Sequence, residues 1–140
     1  MTELLVVVAI IGIIGAVAAP SLLTYYQSSS LTAGAEQLAS VLNRARHLAV
    51  RNNASVCVEL NGTNVRMRTV SCAGTVWTGV GTDSAGTIKI ANNLQVGGGP
   101  NAVFTNVGGA STTASFTVTD PKTSHSRTVA VTASGQVSIQ

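Results

Sequence analysis

The chain carries little with which to do chemistry. Five carboxylates (Glu3, Glu36, Glu59, Asp83, Asp120), two histidines (His47, His125) and two cysteines (Cys57, Cys72) are scattered over 140 residues. No paired-acid spacing, His-Glu-x-x-His helix or Gly-x-Ser-x-Gly elbow gathers them into a catalytic pattern. Triad members need not be neighbours in sequence, but serine and threonine are so abundant here that coincidence explains any candidate. Gly97-Gly98-Gly99-Pro100 lacks the Lys and Ser/Thr that complete a phosphate loop and reads as a turn. Two cysteines and two distant histidines have no metal-ligand spacing. The expectation is a protein that is not an enzyme and needs no cofactor.

One acid is different. Glu3 heads 16 uninterrupted apolar or glycine residues, Leu4 to Ala19. A carboxylate at the centre of a bilayer costs about 3 kcal/mol on insertion scales, so its presence on the rim of such a run calls for a use. A secretory signal would show a basic segment before the apolar one, and none precedes it. A simple anchor is the other plain reading. The run is slightly short of the roughly 20 residues that span hydrocarbon, and Leu22, Leu23, Tyr25 and Tyr26 extend it beyond Pro20. Pro20 lacks the N–H that would bond the Ala16 carbonyl, so a kink is expected there. Gly12 with Ala16, and Gly15 with Ala19, form small-xxx-small pairs that let helices approach one another.

Thr2-Glu3-Leu4-Leu5-Val6-Val7-Val8-Ala9-Ile10-Ile11-Gly12-Ile13 resembles the N-terminus of type IV pilins and type II secretion pseudopilins. The resemblance implies a precursor whose short basic leader is removed by a prepilin peptidase, followed by methylation of the new terminus. The family's acid stands fifth in the mature chain and Glu3 stands third here, so the leader and about two mature residues are expected to be missing. No processing site is assigned. The resemblance also implies that Glu3 neutralises the terminal amine of a neighbouring subunit during assembly, and that the helix loosens near Pro20 in the filament.

Beyond the first 26 residues, 114 remain, enough for one modest core. Charged residues make up 9% and aromatics 4%, with 14 glycines, a profile of short strands and many turns. The net charge of +3 is too small to indicate nucleic acid by itself. In an exported domain Cys57 and Cys72 are most simply one disulfide, with two buried thiols as the alternative. Leu31, Ala35, Leu38, Leu42, Ala45 and Ala49 recur at helical spacing, and Asn52-Asn53 is suited to end that helix. From Val56 the period becomes two. Strands are expected at 56–60, 65–69, 87–91, 102–105, 114–119, 127–132 and 136–139, with a hairpin turn at Asn61-Gly62 and mobile glycine-rich connectors at 73–86 and 96–100. The predicted fold is α+β: an apolar transmembrane or filament-core segment (1–26), an amphipathic second half of the same helix (27–52), and an antiparallel β head (53–140).

The head resembles GspH/FimT-type minor pilins, through Leu42-Asn43-Arg44-Ala45-Arg46-His47-Leu48-Ala49-Val50-Arg51 and short matches around Val56-Cys57-Val58, Trp77-Thr78-Gly79, Phe116-Thr117-Val118 and Ser134-Gly135-Gln136-Val137-Ser138. The implied function is a structural, minor subunit of a type IV pilus or secretion pseudopilus, held in the bacterial inner membrane with a periplasmic head and partnered by other pilin subunits. DNA capture is the alternative. Some FimT-like minor pilins that the chain resembles meet DNA through a C-terminal Gly-Arg-x-Arg segment, but Gly135-Gln136-Val137-Ser138 has neither arginine. Arg44, Arg46, Arg51, Arg66 and Arg68, five of the eight basic residues, offer a different surface for DNA or a partner protein.

Overall fold

The computed structural model describes residues 2–140, with the backbone alone described at 17–20. The chain divides into two compact units, Met1–Ser30 and Leu31–Gln140. The first is helix throughout its described length, the opening part of α1 (Thr2–Arg51). From Leu4 to Ala16 the residues are Leu, Ile, Val, Ala and two glycines with no charge, so the backbone bonds to itself and the side chains it turns outward are apolar. An 18-residue window there has a mean hydropathy of 2.6, long and apolar enough to cross a membrane. The backbone is helical at Pro20, whose side chain lies outside the described residues.

In the second unit the remaining turns of α1 bury one stripe. Leu31, Ala35, Leu38, Leu42, Ala45 and Ala49 are all buried, joined by Val41 and Leu48. The helix ends as its asparagines suggest. Asn53 adopts φ 48°, its N–H donates to the Val50 carbonyl, and the Ala54 N–H reaches back to Ala49. That pair of bonds is a Schellman stop.

Among the described residues nine strands follow: β1 (Val56–Asn61), β2 (Asn64–Thr69), β3 (Thr87–Ile88), β4 (Gln95–Gly98), β5 (Ala102–Phe104), β6 (Ala110–Thr112), β7 (Ala114–Thr119), β8 (Ser126–Val131) and β9 (Val137–Ile139). They form two antiparallel sheets in the orders β3-β2-β1-β5-β6 and β4-β7-β8-β9. Phe104 and Phe116, one from each sheet, are fully buried with Leu38, Leu42, Met67 and a set of valines. Each such side chain contributes about 1.5–3 kcal/mol by leaving water.

Four expectations need correction. The strand expected at 87–91 pairs only over Thr87–Ile88, and Ala91–Asn93 forms a 3-10 turn. Gln37 on α1 supplies the missing partners, donating to the Lys89 carbonyl and accepting from the Ala91 N–H. The connector expected at 96–100 contains most of β4, which pairs with β7. Gly98, at φ 126°, sits where any Cβ would collide with the Ser115 carbonyl, so glycine there permits close strand approach. Strand β6 was hidden by the neighbouring Gly108-Gly109 turn and joins β5 through a register shift. In the first hairpin Asn61 pairs with Asn64, so Gly62 and Thr63 are the central turn residues. Gly62 has φ 64° and Thr63 has no positive φ, as a type II′ turn requires.

Candidate functional site

Two separate regions hold the residues singled out by sequence. In the N-terminal unit, Glu3 is exposed in the first turn of α1. A carboxylate there meets the partial positive charge of the helix's unpaired N–H groups. Behind it the large side chains Leu4 to Val8, Ile10, Ile11, Ile13, Ile14, Leu22, Leu23, Tyr25 and Tyr26 are all exposed. Among the described residues, a Cβ added at Gly12 or Gly15 would meet nothing within 4 Å.

In the head, the arginines fall into three groups. Arg66 and Arg68, on alternate positions of β2, converge on Glu59 of β1. The Glu59 Oε1 accepts from Arg66 Nε at 2.9 Å and from Arg68 Nε at 2.6 Å, and Arg66 Nη2 lies 2.7 Å away. Burial alone pushes the Glu59 carboxyl up, but the hydrogen bonds from Arg68 and Arg66 and their positive charges together outweigh it and hold the group below its ordinary value. Arg68 Nη1 also donates to the Gly74 carbonyl at 2.8 Å, fastening the segment that carries Cys72.

Cys57 and Cys72 are disulfide-bonded, with Cα atoms 5.1 Å apart. Cys57 points away from the α1 side of its strand, in step with Glu59, yet it is fully buried. The bridged segment covers it: the Thr69 N–H donates to Thr75, the Trp77 N–H to Met67, and Val76 bridges to Arg68.

Arg46 stands apart from that cluster, its Nε donating to the Gly108 carbonyl at 2.7 Å. Arg44 lies over Trp77, its guanidinium carbon 4.6 Å from the ring centroid, and its Nη1 donates to the Val80 carbonyl at 2.6 Å. His47 and Arg51 are exposed on the same side of the helix. The structure therefore joins Arg66 with Arg68 and Arg44 with Arg51, and separates both groups from Arg46. Sequence reasoning missed Glu59 as the acid that holds two of the five arginines, and missed Trp77 as the support for a third. Among the described residues no group of three His, Cys, Asp or Glu side chains could hold a metal.

Residues 34–135 match the family described as type II transport protein GspH. No curated protein matches the chain. Two crystal structures of the type IV minor pilin FimU of Pseudomonas aeruginosa are similar in fold. They are 18% and 19% identical, with TM-scores of 0.58 and 0.60, cover 79% and 83% of this chain and each match over 92% of their own. The minor pseudopilin EpsH from the type 2 secretion system of Vibrio cholerae is 9% identical with a TM-score of 0.59, covering 79% of this chain and 96% of that one. A long N-terminal helix with an antiparallel β head, matched by the family over well more than half of its residues, is a pilin-type structural subunit rather than an enzyme, and the chain belongs to the GspH family.

Proposed function

We propose that this protein is a minor pilin or pseudopilin, anchored in the bacterial inner membrane by residues 1–26 and drawn into a helical filament through that same helix. The observation that carries the reading is the exposed apolar surface of Leu4 to Ile14 and of Leu22, Leu23, Tyr25 and Tyr26, headed by a single carboxylate, Glu3, in a chain of this family. Left in water, a surface of that extent is unstable, and lipid or neighbouring helices are the environments that satisfy it. Gly12 and Gly15 support the second of these, because among the described residues their lack of side chain serves no contact. Glu3 is the assembly carboxylate, neutralising the amine of a neighbouring subunit, and Pro20 is the point where the helix loosens. A prepilin peptidase acts on the precursor.

The use that the head makes of its arginines supports a structural role over DNA capture. Arg46, Arg66 and Arg68 are tied to a carbonyl or to Glu59, which leaves no run of cations spaced to follow a phosphate backbone. The deciding experiment is Glu3→Ala in cells. The variant is expected to insert into membrane normally and to be absent from sheared filaments; normal incorporation would remove the proposed role of the carboxylate. A gel-shift assay addresses the alternative: salt-sensitive retention of DNA that is lost on replacing Arg66 and Arg68 would favour capture.

A further inference from the structure

Arg44, His47 and Arg51 recur at intervals of three and four on α1, which puts them on one face. With Leu48 and Trp77 they line a cavity of about 160 Å³ that no carboxylate enters. Small-molecule sites run to roughly 300–1,000 Å³, so this one has room for a side-chain group and little more. It is also preorganised. The Arg44 guanidinium is fixed by the Trp77 ring and the Val80 carbonyl, with further N–H donors to offer.

The head's own acids do not answer this charge. Glu59 is held by Arg66 and Arg68. Asp83 Oδ1 accepts the N–H groups of Ala85 and Thr87, and Asp120 accepts from Lys122 N–H and the Thr123 hydroxyl. Glu36 lies eight residues before Arg44, about 12 Å along the helix. It lines a neighbouring open groove of about 590 Å³, which shares Arg44 and His47 with the cavity and ends at Ile139 on β9. That strand is a sheet edge. Because Gln140 exchanges both backbone bonds with Thr128, the N–H and C=O of Ile139 face away from β8.

We propose that this groove seats an extended acidic segment of a neighbouring protein subunit, whose Asp or Glu carboxylate enters the pocket formed by Arg44, His47, Arg51 and Trp77. The inference rests on the reading of the chain as an assembled subunit. Charge complementarity, a cavity one anion wide and an open backbone edge beside it all fit a peptide. Nucleic acid fits less well, since it needs a row of phosphate contacts and the remaining arginines of the helix and hairpin are engaged elsewhere.

Trp77 is the only tryptophan, so its fluorescence reports on the pocket in the full chain held in nonionic detergent. The probes are a blocked Ser/Thr/Gly heptapeptide with one central glutamate and its central-glutamine twin. The glutamate peptide is expected to change the emission saturably and to lose effect in high salt. Arg51→Gln, an exposed substitution, should raise its half-saturating concentration roughly fivefold without altering the glutamine twin's response. His47→Gln should weaken the glutamate peptide in the same direction. Identical titrations by the two peptides, or an unchanged response in both variants, would overturn the proposal. So would inorganic phosphate or oligothymidylate saturating the signal below the glutamate peptide. No filament is needed for this titration, so its failure alongside the expected absence of Glu3→Ala from filaments would remove the pocket and leave the assembly role standing.

Discussion

The two halves of α1 both carry leucine, valine and alanine and are opposite in what they do with them. Leu4 and Leu5 are 71% and 70% exposed, whereas Leu38 and Leu42, three dozen residues on, are wholly buried. The first segment is the more apolar in composition, and patterning sharpens the difference. Residues 4–19 are apolar on every face, so no fold of a 140-residue chain covers them all, while 31–49 confine their apolar groups to one stripe that two sheets can cover. The first half leaves its apolar groups outward, and the second buries them in the head's core. Leu38→Ala should therefore lower the head's stability by about 2–5 kcal/mol, read as a shift in the Trp77 unfolding transition of the full chain in detergent. Leu5→Ala should leave that transition within about 0.5 kcal/mol of the parent. A large shift from Leu5→Ala would break the division.

The disulfide tests the same boundary from the head's side. In the chain-entropy account a 15-residue loop closed by Cys57 and Cys72 is worth about 3 kcal/mol. The double Cys→Ser variant should lose about that much in denaturant unfolding, with membrane insertion unaffected. Equal loss of insertion would mean that the N-terminal helix depends on the head.

How much of this was legible depended on whether a local pattern carried the information. The buried stripe of α1, its stop at Asn52-Asn53 and the alternation of β1 and β2 were readable, because helix and strand periods differ and asparagine tolerates a left-handed stop. The Glu59 cluster was nearly so. Once Gly62-Thr63 is taken as the turn, counting outward places Glu59 opposite Arg66; centring the turn one residue earlier conceals the pair. Strand β4 was not legible, since glycines in a strand look like a loop until the backbone that crowds Gly98 is known. The fastening of 89–91 by Gln37, 52 to 54 residues away in sequence, leaves no local trace at all. Likewise nothing near Arg44 announces Trp77.

Glu59 offers a smaller effect with a defined pH sense. Its carboxyl is held below the ordinary carboxylate range in the folded head, so the folded state favours the ionised form. The stability this contributes is complete above that ordinary range and is lost as pH falls through the lowered value. Its side chain is 14% exposed and its partners 22–23%, so solvent screening is moderate. Glu59→Gln should cost about 1–2 kcal/mol at neutral pH, in part by leaving two half-buried guanidinium groups without their anion. Parent and variant should converge on acidification. A gap that stays constant from neutral to acid pH would show that the cluster's charge does not matter to the head.

The smallest effect comes from Val70, which is 70% exposed, as Val6, Val7 and Val8 also are to 54–58%. Exposure is shared, but its cause is not. The valines of the N-terminal helix have ordinary helical backbone and face outward for want of a partner. Val70 is forced into the left-handed region at φ 73° by the chain's exit from β2 toward Cys72, with its N–H donating to the Ser55 carbonyl at 2.7 Å. A β-branched residue in that region is strained by about 1–2 kcal/mol. Glycine relieves the strain and returns about 0.5–1 kcal/mol of it as unfolded-state entropy. Val70→Gly should therefore stabilise the head by about 0.5–1 kcal/mol, measured as a higher denaturant midpoint, and leave filament incorporation unchanged. If the substitution instead reduced incorporation while raising the midpoint, Val70 would belong with the exposed valines of the helix as an assembly contact.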